Sequence, residues 1–220
     1  MKTILFQLLV LFFLFSCAGK EIQPTINPQA FNKIIDGKQV KLFTIKNQKG
    51  MEITVTNYGA RIVSWLVPDK KGSFEDVVLG FDSIDGYLNA KENYFGASIG
   101  RYGNRIAKGT FTIGDIQYKL AQNNGINSLH GGVKGFSSKI WNVVPHGDNE
   151  LHLNLVSPDM DEGYPGELSV NMIYRLTNDN ELFIQYEAKC DKPTIINLTN
   201  HSYFNLHGAG MAISWIISSR

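Results

Sequence analysis

The segment NLTNHSYFNL, residues 197–206, surrounds one histidine with side chains that suit the recognition of a sugar. His201 lies between the hydrogen-bonding side chains of Asn200 and Ser202, and two aromatic residues follow, beginning with Tyr203. A sugar presents hydroxyls at its rim and C–H groups on its faces, so it matches a mixture of polar groups and flat rings. A buried polar turn without a ligand has the same composition, and both interpretations remain open from this segment alone.

Two other polar segments contain residues that could bind the same kind of ligand. Residues 94–111 (YFGASIGRYGNRIAKGTF) place Asn104 and Arg105 after a glycine-rich turn. Arginine offers five donors in a rigid fork and can hold two oxygens at once. In residues 123–136 (NNGINSLHGGVKGF), His130 precedes two glycines, which allow a backbone to approach a ligand closely. A solvated arginine and a structural histidine are the alternatives.

The spacing of polar residues argues against several other kinds of site. There is no His-x-x-x-His or Cys-x-x-Cys pair, so we expect no transition-metal site. We predict neither a βαβ unit around the glycines of residues 94–111 nor a hydrolase elbow between a strand and a helix. The formal net charge of +1 and the lack of a basic stripe argue against a nucleic-acid partner.

The elements that must position these segments are predicted to be strands. In MEITVTNYGARIVSWLVPD, two apolar-rich runs flank the turn NYG. Residues 151–155 and 168–174 alternate apolar with mostly polar residues, as half-buried strands do. A turn at residues 178–180 connects the second run to residues 181–188, which predicts a hairpin of two long antiparallel strands. A helical turn is predicted only near residues 83–88.

Strands joined by short turns predict an all-β chain that folds as an antiparallel β-sandwich. With 43% hydrophobic and 19% charged residues, the composition is that of a globular protein rather than a disordered one. A length of 220 residues suits one domain.

The first 17 residues, MKTILFQLLVLFFLFSC, are predicted to be a lipoprotein-type signal peptide. The apolar run is too short for a comfortable membrane span and has the length of a signal-peptide core. Its end resembles the lipobox of bacterial lipoproteins, in which Cys17 becomes the lipidated N-terminus; an ordinary cleaved signal is the alternative. Residues 18–33 are predicted to be a polar tether and residues 34–220 the domain. Cys190 is then without a disulfide partner, and we expect a buried structural thiol.

Five segments occur in the order in which they occur in the aldose 1-epimerases, also called galactose mutarotases. The chain resembles this family from about residue 35 to residue 210. The segments are NYGARIVSWLVPDKKG, VVLGFDSIDGY, YFGASIGRYGNRIAKGTF, NSLHGGVKGF with Trp141 shortly after it, and NLTNHSYFNLHG.

The resemblance implies a sandwich of the galactose mutarotase type with a sugar in a cleft across one sheet. It implies that Asn104 and Arg105 bind sugar hydroxyls, that His130 contacts the sugar near its ring oxygen, and that His201 is the general acid. Tyr203 falls in the same binding segment. We expect the amides and hydroxyl around His201 to orient its imidazole and the aromatic neighbours to shape the pocket.

The implied reaction interconverts the α and β anomers of hexoses such as glucose and galactose. A base takes the proton of the anomeric hydroxyl while an acid protonates the ring oxygen, and the ring closes again after rotation about C1–C2. Histidine can give and retake a proton near neutral pH. No cofactor is required, although the association of some bacterial relatives with calcium leaves calcium possible. We expect an aldose as the small-molecule partner and a monomer.

The family also implies a binding Asp and a catalytic Glu in a later part of the chain. No Asp or Glu follows Asp191 here, and residues 211–220 (MAISWIISSR) are atypical of the family. We therefore expect the family's base to be missing from this chain, and the chain's own mutarotase activity to be low, as a frameshift or a truncated gene would produce. A non-catalytic sugar-binding or inactive lipoprotein is the alternative.

The signal peptide predicts an exported protein that contacts the membrane of the bacterial cell envelope only through a lipid on Cys17. The substitution Cys17→Ser should abolish the incorporation of labelled fatty acid, because the thiol that carries the lipid is gone. Metabolic labelling in a bacterial host measures this directly. Undiminished labelling of the Cys17→Ser variant would contradict the prediction.

Overall fold

A computed structural model describes residues 26–91 and 93–210. The expected signal peptide with Cys17, the first part of the expected tether and the tail of residues 211–220 lie outside these described residues.

The described residues form mostly strands, with one short α-helix and four 3-10 helices. The strands are β1 (Ile34–Ile35), β2 (Lys38–Gln39), β3 (Leu42–Lys46), β4 (Glu52–Thr56), β5 (Arg61–Pro68), β6 (Phe74–Asp76), β7 (Ser98–Ile99), β8 (Arg105–Ile106), β9 (Thr110–Ile113), β10 (Ile116–Lys119), β11 (Ser128–Leu129), β12 (Asn142–His146), β13 (Glu150–Ser157), β14 (Leu168–Leu176), β15 (Leu182–Cys190) and β16 (Thr199–Asn200). The α-helix is α1 (Ile84–Asn89), and the 3-10 helices are Pro28–Phe31, Ala107–Gly109, Phe136–Ser138 and Asp161–Gly163.

Two four-stranded antiparallel sheets form the framework, in the orders β3-β4-β5-β6 and β12-β13-β14-β15. One apolar cluster takes side chains from both sheets, including Ile53 and Ile62 from the first and Leu153 and Met172 from the second. All four side chains are at most 1% exposed. The expected antiparallel β-sandwich is therefore confirmed, with its core between the two sheets.

The strands that the alternating patterns predict are present. In β13 and β14, the alternate residues Leu151, Leu153, Val170 and Tyr174 are buried in the core. The predicted hairpin pairs β14 with β15 along nine residues of each strand, from Leu168 opposite Cys190 to Leu176 opposite Leu182. The predicted helical turn is α1, whose first turn is capped because the backbone N–H of Gly86 donates to the Ser83 hydroxyl.

The structure corrects two expectations, one for the polar tether and one for the thiol of Cys190. Within the expected tether, Pro28–Phe31 form a 3-10 helix, and Phe31 is buried against the ring of Tyr87 in a second apolar cluster. That part of the tether therefore packs on the domain. The Cys190 thiol is free and only half-buried, because it lies at the end of the edge strand β15.

Among the described helices, none has the length and apolar character that a membrane crossing requires.

Two short ladders bring the three polar segments together. β7 pairs with β16, so that Ser98 lies opposite Asn200. β8 pairs with β11, so that Arg105 lies opposite Leu129. Residues that are distant in sequence therefore meet beside the main sheets, where turns rather than long strands carry the polar side chains.

The hydroxyl of Tyr174 connects the second main sheet to these ladders. It donates to the carbonyl of Ala60 at 2.9 Å and accepts from the side-chain amide of Asn200 at 3.0 Å. Burial raises the pKa of this phenol. We expect Tyr174→Phe to lower the free energy of unfolding by about 1–3 kcal/mol, because the two buried partners lose their hydrogen bond.

Chemical denaturation of the variant and the wild type measures this effect. Tyr118→Phe is the matched control: its ring stacks on Phe111 with centroids 5.2 Å apart, and its hydroxyl makes no hydrogen bond to the described residues. Equal losses in both variants would show that the Tyr174 hydroxyl has no special part in stability.

Candidate functional site

The three polar segments line one cleft of about 730 Å³. Its lining contains all five site residues that the sequence nominated. The lining residues are Tyr94, Gly103, Asn104, Arg105, Leu129, His130, Asn197, Leu198, Thr199, Asn200, His201, Ser202 and Tyr203. A cleft of this volume, with amide, guanidinium and aromatic groups in its walls, fits a small polar ligand with apolar faces.

The backbone of His201 is fixed on both sides by one neighbouring segment. Its N–H donates to the carbonyl of Ala97 at 2.8 Å, and its carbonyl accepts from the N–H of Gly96 at 3.1 Å. Gly96 has φ +70°, and a Cβ at this position would lie 2.1 Å from the carbonyl oxygen of Ile62. Only glycine fits this close approach, which lets the segment that holds the His201 backbone lie directly against β5.

The Asn200 side chain holds the turn around His201 rather than its imidazole. Its amide nitrogen donates to the carbonyl of Gly96 at 3.1 Å and to the Tyr174 hydroxyl at 3.0 Å, and its oxygen accepts from the backbone N–H of Ser202 at 2.9 Å. The Ser202 hydroxyl is buried without a hydrogen-bond partner among the described residues. The expectation that the amides and the hydroxyl orient the imidazole is therefore corrected for these two residues, because Asn200 binds the backbone of the turn.

His130 makes two hydrogen bonds with the backbone of Asn104, one through its ring and one through its own N–H. The N–H of Asn104 donates to the His130 Nδ1 atom at 3.0 Å, and the N–H of His130 donates to the Asn104 carbonyl at 3.0 Å. Both residues have left-handed backbones, with φ 66° and 52°. Because Nδ1 accepts a hydrogen bond, the neutral ring carries its proton on Nε2.

Burial, together with the nearby charges of His201 and Arg105, lowers the pKa of His130 to about 4. His130 is therefore neutral at physiological pH. A neutral imidazole with Nε2–H is a hydrogen-bond donor, and it is not a source of protons near pH 7.

Four rings form a compact cluster in the cleft. The His130 and His201 rings are perpendicular, with centroids 4.9 Å apart. Tyr94 contacts both imidazoles, at 4.7 Å from His130 and 5.7 Å from His201. The ring of Tyr203, which is 49% exposed, lies 5.2 Å from His201. The two histidines that are 71 residues apart in sequence thus lie close enough to contact the same small ligand.

Arg105 also lines the cleft and is exposed. Its Nε atom donates to the side-chain oxygen of Asn124 at 2.9 Å, and one terminal nitrogen donates to that of Asn104 at 3.2 Å. Two neutral amides therefore position the guanidinium, and no ion pair within the described residues neutralises it. Its charge stays available for the oxygen atoms of a ligand.

The structure adds residues that the sequence did not single out. Tyr94 is a contact of both imidazoles, and its position in the segment YFGASIGRYGNR was the only available signal. Arg61 is 1% exposed and donates to the carbonyls of Phe95 and Ser137, which lie in two of the loops around the cleft. Burial lowers the pKa of Arg61 to about 10. The guanidinium remains charged, and it connects the segment that contains Phe95 to the segment that contains Ser137.

Other potential reactive groups lie elsewhere. Ser98 stands in the sequence GASIG, but its side chain is buried and its hydroxyl lies 3.2 Å from the Met172 sulfur, away from the cleft. His146 and His152 stack on each other between β12 and β13, outside the cleft. The described residues contain no group of three or more His, Cys, Asp or Glu placed to hold a metal ion. No Asp or Glu is among the described residues that line the cleft.

From the lowered pKa of His130 we predict how the free energy of unfolding depends on pH. Between pH 6.5 and about 4, the unfolded chain takes up a proton at residue 130 that the folded chain does not, so the free energy of unfolding falls as the pH falls. We expect this contribution to be about 1–2 kcal/mol by pH 4.5, after allowance for solvent around a half-buried ring. The variant His130→Asn lacks the contribution.

Denaturant unfolding at pH 7 and pH 4.5 measures it for both proteins. All other titrating groups are shared, so the difference between the two pH dependences isolates residue 130. Parallel pH dependences would contradict a lowered pKa at His130.

The comparisons with known proteins agree on one family. The family model described as aldose 1-epimerase matches residues 41–216. The galactose mutarotase of Bos taurus is 49% identical over 173 residues, which are 78% of this chain and 49% of the bovine protein. The aldose 1-epimerase of Escherichia coli (strain K12) is 41% identical over 173 residues, which are 79% of this chain and 50% of that protein. The chain spans about half the length of these curated relatives.

Solved structures give the same result for the fold. A crystal structure of an aldose epimerase homologue from C. elegans superposes with a TM-score of 0.73 and 35% identity, over 77% of this chain and 52% of that one. A galactose 1-epimerase from Lactobacillus acidophilus NCFM superposes with a TM-score of 0.71 and 34% identity, over 79% of this chain and 51% of that one. The sequence match, the sandwich and the likeness to these structures together show that the chain belongs to the aldose 1-epimerase family.

Proposed function

We propose that the protein is an aldose 1-epimerase that interconverts the α and β anomers of free hexoses in this cleft. One observation carries the proposal: two imidazoles in the wall of one cleft lie 4.9 Å apart, so that both can contact the same small sugar. Ring opening requires a proton at the ring oxygen, and a second donor at the same atom stabilises the reacting geometry.

His130 is proposed to be the fixed donor. Its Nδ1 atom is occupied by the Asn104 N–H, so Nε2–H is the group that it can offer to a sugar oxygen. With a pKa of about 4, it does not gain or lose its proton during turnover near neutral pH. It therefore orients the sugar by a hydrogen bond that is the same before and after the reaction.

His201 is proposed to be the general acid that protonates the ring oxygen when the ring opens and takes the proton back when it closes. Its backbone is clamped to Gly96 and Ala97, which keeps its ring beside that of His130. A positioned proton donor of this kind typically contributes about 10²- to 10⁴-fold to a rate.

The anomeric hydroxyl also needs a proton acceptor. The described lining of the cleft contains no carboxylate, so we propose that water, or a carboxylate outside the described residues, takes this proton. Asn104 and Arg105, which line the same cleft, hold the sugar's other hydroxyls, and the guanidinium fork can bind two oxygens.

The proposal includes the location of the reaction. We infer from residues 1–17 that the protein is exported and anchored to a bacterial membrane through Cys17, so the sugars that it meets are those outside the cytoplasm.

The test of the acid is His201→Asn. We expect it to lower the protein-dependent rate constant of anomer equilibration about 10²- to 10⁴-fold, because an amide cannot donate and retake a proton at this pH. Polarimetry on freshly dissolved α-D-glucose and α-D-galactose, with a buffer blank, gives the rate. His146→Asn is the matched control, because His146 is exposed on β12 outside the cleft.

Arg105→Ala separates binding from proton transfer. We expect a higher KM with a smaller change in kcat, because the guanidinium holds the sugar rather than the reacting proton. Nuclear magnetic resonance titration with each sugar gives the binding constant independently. A folded wild-type protein that binds sugar without accelerating equilibration would replace the epimerase proposal with a sugar-binding function.

A further inference from the structure

The turn of residues 123–127 (NNGIN) is fixed beside the cleft, although none of its residues is among the described lining. Asn124 and Asn127 bind each other through the backbone, with the N–H of each donating to the carbonyl of the other at 3.1 and 3.0 Å. The side-chain oxygen of Asn127 also accepts from the N–H of Lys108 at 3.2 Å, which attaches the turn to the segment after β8. The turn is therefore a firm base for its other side chains.

The side chain of Asn123 makes three hydrogen bonds to the backbone on either side of His130. Its Oδ1 atom accepts from the N–H of Leu129 at 2.7 Å. Its Nδ2 atom donates to the carbonyl of Leu129 at 3.0 Å and to that of Gly132 at 3.0 Å. A carboxamide has two N–H donors, and both are used here on the same short segment.

His130 has a backbone conformation that its residue type disfavours. The φ angles of His130 and Gly131 are 52° and +86°, and the N–H of Gly132 donates to the carbonyl of Leu129 at 3.1 Å. Two positive φ angles at the central positions are those of a type I′ turn, which suits glycine but strains histidine. A strained residue persists only where its surroundings hold it. Asn123 binds the first and the last residue of this turn, which are the points where it can be held.

The direction of the His130 ring depends on this turn. The ring accepts from the N–H of Asn104 at 3.0 Å, and it lies perpendicular to the ring of His201 with centroids 4.9 Å apart. Backbone torsions set the direction of the Cα–Cβ bond, so a turn that relaxes to negative φ turns the ring away from both neighbours. The hydrogen bonds of Asn123 therefore act on the ring through the backbone.

The next residue along the chain acts on a different member of the site. The Asn124 Oδ1 atom accepts from the Arg105 Nε atom at 2.9 Å. Two adjacent amides on one turn thus hold two cleft residues that come from different segments. Their separate targets allow each substitution to serve as a comparison for the other.

We propose that Asn123 is a positioning residue, which holds residues 129–132 so that the Nε2–H of His130 points at the sugar in the cleft. This inference rests on the proposed function, from which it takes the donor role of His130. Asn123 is exposed, so water can replace its hydrogen bonds when the side chain is removed. We therefore expect its loss to change the turn and leave the sandwich folded.

The variant Asn123→Ala tests the hold on the ring directly. In long-range ¹H–¹⁵N correlation spectra of the full chain labelled with ¹⁵N-histidine, wild-type His130 should carry its proton on Nε2 and titrate near its pKa of about 4. In the variant we expect both tautomers and a pKa closer to the ordinary value of about 6.5, because the ring leaves its half-buried place. The variant His130→Asn assigns the signals by removing them.

Polarimetry on α-D-glucose and α-D-galactose tests the effect on the reaction. We expect Asn123→Ala to lower the protein-dependent kcat about 10- to 100-fold, because a donor displaced by about an ångström no longer meets the sugar oxygen. Asn124→Ala should mainly raise KM and leave the His130 signals as they are in the wild type. Asn142→Ala, at an exposed position on β12 outside the cleft, is the matched control and should change neither measurement.

The outcomes separate this inference from the proposed function. Unchanged His130 signals in Asn123→Ala, or an unchanged kcat beside an active wild type, overturn the positioning role and leave the epimerase proposal intact. Changed signals beside a folded wild type that does not equilibrate the anomers support the hold on the ring and overturn the epimerase proposal. Should Asn123→Ala fail to fold, Asn123→Ser, which keeps one hydroxyl at this exposed site, decides by the same two measurements.

Discussion

The backbone clamp on His201 is the constraint on which the arrangement of the site depends. Two hydrogen bonds hold its backbone against Gly96 and Ala97, and a side chain at residue 96 would collide with the Ile62 carbonyl of β5. A proton donor works only within about an ångström of its productive position. Because the hydrogen bonds fix the main-chain atoms of residue 201, which are less mobile than side chains, the position of the imidazole depends only on its own side-chain torsions.

The sandwich and the site are mechanically connected through buried polar groups. Tyr174 projects from the middle of the second sheet and meets Asn200, while Arg61 reaches from the first sheet to the carbonyls of Phe95 and Ser137. The Tyr174 hydroxyl also binds the carbonyl of Ala60, and the two carbonyls that Arg61 binds lie in a loop and in the 3-10 helix Phe136–Ser138. The two sheets therefore help to fix these connecting segments, because hydrogen bonds to a buried polar side chain restrict the backbone that it binds.

The alternation of apolar and polar residues predicted the strands of the two sheets. The types of neighbouring residues predicted which side chains belong to the site, but not how they are arranged. Alternation in β13 and β14 identifies buried faces because one side of each strand must leave water. His130, His201, Asn104 and Arg105 stood out by residue type, but their proximity depends on ladders of two residues, which are too short to have a pattern. Buried Arg61 and the pKa of His130 could not be predicted, since both result from neighbours that only the fold supplies.

The four-ring cluster around His201 also gives the site a magnetic signature. Tyr94, Tyr203 and the two imidazoles surround one small volume from different directions, with the imidazole planes perpendicular. Circulating π electrons in each ring shift the resonance of any proton held above its face to higher field and of any proton at its edge to lower field. The protons of a bound sugar therefore report their own positions, ring by ring, without a label on the protein.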